Sequence, residues 1–116
     1  MKIKTSEATG LQLDWGLAVA MQIEKLKLVE GRPVYMPSCG GRKPFDHTDP
    51  AVCMGLIKEH KITLAYWNIA PVWSATPDDK GWDEHGDTPE QAVARCVIAM
   101  LLGEEFECPD ELGVQS

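Results

Sequence analysis

Apolar residues recur at helical spacing in three stretches of this chain and alternate with polar ones in a fourth. Leu13, Leu17, Ala18 and Met21 fall at i, i+4, i+5 and i+8, one stripe of a helix predicted over residues 9–26, with Leu11 and Trp15 broadening its flank. Val52, Cys53, Leu56, Ile57 and His60 share a face of a second helix, opened by Thr48-Asp49-Pro50. There Asp49 can accept from free N–H groups and Pro50 needs no bond. Ala92, Val93, Cys96, Val97, Met100 and Leu101 make the cleanest stripe. Thr88 and Gln91 supply a capping box in front of it and Gly103 stops it. Residues 61–67 alternate Ile62, Leu64 and Tyr66 against Thr63, Ala65 and Trp67, a half-buried strand. A turn from Asn68 to Pro71 returns the chain antiparallel through residues 72–75.

Shorter signals fill the rest. Lys2-Ile3-Lys4 is extended, Glu30-Gly31-Arg32-Pro33 is a turn, residues 33–36 are a strand candidate, and 104–109 can add an edge strand. Residues 37–47 and 76–87 read as loops and 109–116 as a frayed tail. The expectation is one α+β domain over residues 1–116, in the order α-β-α-β-β-α. A small antiparallel sheet packs with three helices in a layered α/β/α sandwich.

At 116 residues the chain is long enough to bury a core without disulfides or metals. It carries no apolar run near the ~18 residues of a membrane span. Met1 to Glu7 lacks the apolar segment of a secretory signal. A cytosolic protein without membrane partners is expected. Cys39, Cys53, Cys96 and Cys108 include no Cys-x-x-Cys pair. Cys53 and Cys96 fall on predicted apolar faces, so they read as small buried hydrophobes, and Cys39 and Cys108 fall in loop and tail. No ligand pair has metal spacing, so neither metal nor cofactor is expected.

Charge is uneven. Residues 1–45 carry seven Lys/Arg against four acids, and residues 46–116 carry four against fourteen, within a net charge of −7. That balance opposes direct nucleic-acid binding. The acidic half is either a solvated face or a patch that meets a basic partner.

Candidate chemistry is thin. A Cys–His nucleophile needs an exposed, thiolate-favouring setting that Cys53 and Cys96 lack. Asp46-His47-Thr48-Asp49 is the densest polar cluster, able in principle to hold a metal or do acid–base work, but helix capping accounts for it more simply. Cys39-Gly40-Gly41-Arg42-Lys43 has neither the spacing nor the ending of a Walker loop and reads as a turn. Among four tryptophans, Trp15 and Trp67 suit core or flank positions and Trp73 lies in a strand. Trp82, in an acidic loop, is either tucked beneath it or exposed for a partner.

Both ends of the chain resemble the NinX-like proteins of lambdoid phages, a family of unknown function. The N-terminal likeness runs through residues 1–10, then Leu13-Asp14-Trp15 and Ala18. The C-terminal likeness comprises Gly86-Asp87-Thr88-Pro89, Ala92, Ala94-Arg95-Cys96, Leu102-Gly103-Glu104-Glu105 and Pro109-Asp110-Glu111-Leu112. Between them, Pro44-Phe45 and Thr48-Asp49 fit the pattern, Asp46 and His47 depart from it, and Cys39-Gly40-Gly41 matches nothing in it. The resemblance implies a phage or prophage accessory protein in the bacterial cytoplasm, and supplies no catalytic residues.

The resulting expectation is a non-enzymatic binding protein that modulates a host factor, with defence evasion as one setting. The alternatives are a binder of a small nucleotide-like ligand, using Trp15, Trp73, Arg95 and Arg42, and an enzyme with an unrecognised site. Homo-oligomers are compatible with either binding role. Asp14, Trp15, Thr48, Asp49, Trp73, Trp82 and Arg95 are the candidate ligand- or partner-binding residues. Asp14 and Arg95 are expected to lie off the core stripes of their helices and to converge with Trp15, Thr48 and Asp49.

Overall fold

The computed structural model describes residues 1–36, 40–69, 71–78 and 81–113. It is an α+β chain of four helices and three small antiparallel sheets. Strand β1 (Lys2–Lys4) leads through a 3-10 turn (Thr5–Glu7) to helix α1 (Gly10–Ala20). Strands β2 (Lys27–Val29), β3 (Arg32–Tyr35) and β4 (Lys43–Pro44) follow, then α2 (Pro50–His60). Strands β5 (Thr63–Trp67), β6 (Val72–Thr76) and β7 (Glu84–Gly86) precede α3 (Pro89–Leu101), and β8 (Glu105–Glu107) and α4 (Asp110–Gly113) complete the order. The strands pair as β1-β8, β2-β3-β4 and β5-β6-β7, so one expected sheet is three separate ones.

The first helix stops six residues earlier than its apolar pattern suggests. Gln22 takes a left-handed φ of 57°. Its N–H bonds Val19 O at 3.0 Å while the Ile23 N–H reaches back to Ala18 O at 3.0 Å, a Schellman closure built without glycine. The freed residues, with turns at Lys25 (φ 58°) and Glu30 (φ 54°), form the β2–β3 hairpin. Pro50 opens α2 after Asp49, whose carboxylate accepts from Ala51 N at 2.9 Å. In α3, Thr88 Oγ1 accepts from Gln91 N at 3.1 Å, while the Gln91 side chain answers one residue earlier, accepting from Asp87 N at 2.7 Å.

The expected loop over 76–87 contains β7, which registers Gly86 against Trp73 and Glu84 against Ala75. A Cβ on Gly86 would lie 2.6 Å from Ala92 N, so only glycine lets this strand approach the start of α3 so closely. The expected edge strand near 104–109 is β8, paired with β1 through Ile3 and Phe106. The tail is not frayed at 110–113. Leu112 is fully buried, and its carbonyl accepts from Gln12 Nε2 at 2.9 Å.

The core lies around α1 and α3. Helix α3 touches α1, α2, β6 and β7, and α1 also touches β3 and α4. Phe106 of β8 presses on Gly16 so tightly that a Cβ there would be 2.6 Å from its ring. Leu13, Leu17, Ala18, Ala92, Val93, Cys96 and Val97 are buried as expected. Ile98 is buried from outside the expected stripe, while Leu101, at its C-terminal end, is 48% exposed. Gln12 and Asp14 are buried on the other faces of α1. No helix is long and apolar enough to cross a membrane among the described residues.

Candidate functional site

The predicted site residues fall in three places. Asp14 is the first correction. It was expected off the core face, yet it is 7% exposed, because α3, β3, β8 and α4 surround its helix and leave little free face. A buried carboxylate needs donors. His47, read as a loop residue, supplies two and is itself buried at 8%. Its backbone N–H donates to Asp14 Oδ1 at 2.8 Å and its ring Nδ1 lies 2.6 Å from the same oxygen. An ionised carboxylate only accepts, so Nδ1 carries the proton of this bond. Beside the pair, Asp46 Oδ1 accepts from Thr48 N at 2.8 Å and Thr48 Oγ1 at 2.6 Å. Those bonds hold the Asp46 carboxyl below the usual range, led by the hydroxyl. Asp14, Asp46 and Arg32 line a small cleft of about 100 Å³ with Leu11 and Phe45.

Arg95 does not join them. Its Nε and one terminal nitrogen donate to Ala8 O at 3.1 and 2.8 Å, and the other to His85 O at 2.8 Å. Among the described residues no hydrogen bond or ion pair links it to Asp14. Burial pulls its pKa down, opposed by Asp87 and Glu84. The guanidinium ties the chain before α1 to β7, which leaves few donors for a nucleotide-like ligand. Trp15 is half-buried against the core. Thr48 and Asp49 are engaged in their turn and cap. Trp73 is half-buried and packs on Tyr66 with ring centroids 5.2 Å apart.

Trp82 settles the third place. It is 38% exposed and lines a groove of about 580 Å³ with Asp83, Glu84, Met100, Gly103 and Glu104. Glu84 and Glu104 also line the adjoining cleft of about 400 Å³, beside Lys4 and Glu105. Among the described residues neither Glu84 nor Glu104 has an ion-pair partner. Burial raises the Glu84 pKa, and the fields of Asp83 and Glu104 add to it against Arg95 and His85. Asp83 is shared with a second, apolar concavity of about 610 Å³ that Trp67, Ile69, Val72 and His85 complete. Trp67 is 55% and Ile69 99% exposed, so Trp67 is a surface residue rather than core or flank. Asp83 Oδ2 already meets His85 Nε2 at 3.0 Å, so Glu84 and Glu104 are the carboxylates beside the aromatic shelf that suit an ammonium or guanidinium group.

The described thiols Cys53, Cys96 and Cys108 are all buried. Burial pushes Cys96 up to about 12 and raises Cys53 and Cys108. Cys108, expected in a loose tail, is buried where its backbone bonds both ways with Met1 at 2.8 Å. Cys39 lies outside the described residues, as does most of the turn before Gly40. His47, Glu84 and Glu104 were missing from the sequence-derived site. The Trp82-Asp83-Glu84 run was visible, but its completion by Met100 and Glu104 depends on how α3 ends against β7. No protein-family model matches the chain, and no curated protein matches it either.

Proposed function

We propose that this is a phage or prophage accessory protein that acts by binding, and that the groove around Trp82 takes a basic segment of a host protein. The observation that carries the reading is the combination of an exposed tryptophan with Asp83, Glu84 and Glu104 around one groove of about 580 Å³. Trp67 and Ile69 extend that surface with an apolar anchor point beyond Asp83. Carboxylates in this arrangement steer cations to the surface, and the tryptophan face holds them on arrival. The phage setting, the bacterial cytoplasm and the layered helix–sheet–helix arrangement rest on the terminal NinX-like segments and belong to the same proposal.

Titration with an arginine-rich peptide, against an acidic peptide of equal length, tests it. The basic peptide is expected to bind and to weaken as salt rises. Trp82→Ala should cost roughly fivefold, the equivalent of ~1 kcal/mol of cation–π contact. A cation prefers ionised Glu84, whose pKa is raised above its ordinary value of 4.5. Affinity should therefore climb as pH rises through the range just above 4.5 and then level, and Glu84→Gln should flatten that climb. Equal binding of both peptides, or indifference to Trp82→Ala, contradicts the reading.

A further inference from the structure

We propose that Asp14, Asp46 and His47 form a binding site for one divalent transition-metal ion of the Mn²⁺ or Zn²⁺ kind. One donor atom from each of the three lies within 4.8 Å of the others. Two donors on one ion at ~2.1 Å can be at most ~4.2 Å apart, so the cluster needs to close by no more than ~0.6 Å. The set is two carboxylates and one imidazole, a mixture of hard and borderline donors that such ions accept.

A second observation is independent of that proximity. The Asp14 side chain is nine-tenths buried, and both of its hydrogen bonds go to one oxygen, Oδ1. The other oxygen receives none, and Asp14 lines the small cleft that Asp46 also lines. The buried carboxylate thus has an unused acceptor beside a polar cleft of about 100 Å³, room for an ion and a few waters but not for an organic ligand of ordinary size. The ion takes the place of the proton that His47 Nδ1 shares with Asp14 Oδ1, two atoms 2.6 Å apart, and that proton leaves to solvent. Among the described residues no fully buried side-chain nitrogen or oxygen is left unsatisfied, so the free Asp14 oxygen opens onto the cleft. The Thr48 bonds fix the Asp46 carboxylate in orientation at the cleft. Arg32 is the opposing charge at this cleft and competes for Asp46.

The full chain, stripped of metal with a chelator, is titrated with Mn²⁺ and separately with Zn²⁺. Dialysis gives the stoichiometry, and NMR line broadening by Mn²⁺ gives the place. One ion per chain is expected, with broadening strongest at His47, Asp14 and Asp46 and weak at His60 and His85. Asp46 is exposed, and asparagine keeps an acceptor for Thr48, so Asp46→Asn should leave the metal-free Tm unchanged. It should weaken binding by about tenfold or more, as loss of a ligand or its support does. Arg32→Ala should strengthen it. Failure of both ions to saturate a site, broadening centred on Asp83 and His85, or an unaltered affinity in Asp46→Asn overturns the proposal.

Discussion

Asp14 shows how a single residue reads differently in sequence and in space. In the sequence it sits one position past Leu13, off an apolar stripe, and a carboxylate there belongs on the surface. In the fold it is 7% exposed, because α1 is packed on almost every side. Two local clues point the same way. Gly16 admits the Phe106 ring, and Ala18 and Ala20 keep the helix slim where neighbours close in. The partner could not be read from spacing, since His47 lies thirty-three residues away and reaches Asp14 only through the course of the chain before α2. Removing the carboxylate with Asp14→Ala leaves the His47 backbone N–H and ring N–H buried without an acceptor. The expected loss is about 2–3 kcal/mol in urea unfolding. A loss under ~0.5 kcal/mol, the range of an ordinary surface change, would mean that Asp14 is not buried against His47.

Elements were legible where local chemistry and packing agree. Helix α3 has an apolar stripe, a Thr88 cap, Pro89 at its first position and Gly103 after its end, and it forms where those signals place it. The β5–β6 hairpin forms where the alternation and the turn signals place it, although Tyr66, on the face expected to be buried, is 49% exposed. Helix α1 was read too long because its stop uses Gln22 in a left-handed conformation, which carries no glycine to announce it. Strand β7 was read as loop because three residues of Glu-His-Gly have little strand preference, and they are strand only by pairing with β6 and packing on α3. The contrast is measurable in α3. Thr88→Ala removes one cap bond and should cost about 1 kcal/mol, visible as a lower Tm. Val97→Asp puts an unpaired charge at a fully buried position and should cost at least ~3 kcal/mol, enough to unfold a marginal domain. Similar effects of the two would mean that the α3 face is assigned wrongly.

At the scale of the molecule, charge and topology combine. The acidic bias of residues 46–116 is plain in the sequence, yet it does not say which acids meet. Pairing of β1 with β8 joins the two ends of the chain, and the turn after α3 brings Glu104 beside Glu84 and Trp82. The groove is therefore a product of contacts between residues about twenty positions apart, and the sequence shows only its Trp82-Asp83-Glu84 half. The opposite-charge convergence of Asp14 and Arg95 did not form, because Arg95 is held by the carbonyls of Ala8 and His85.

The central claim is that binding occurs at this groove. Backbone amide NMR shifts followed during titration with an arginine-rich peptide test it most directly. The account predicts saturable shifts confined to residues 82–86 and 99–104, with weaker ones near Trp67 and Ile69. Shifts centred instead on residues 40–48, or none at concentrations where the peptide binds, would contradict it.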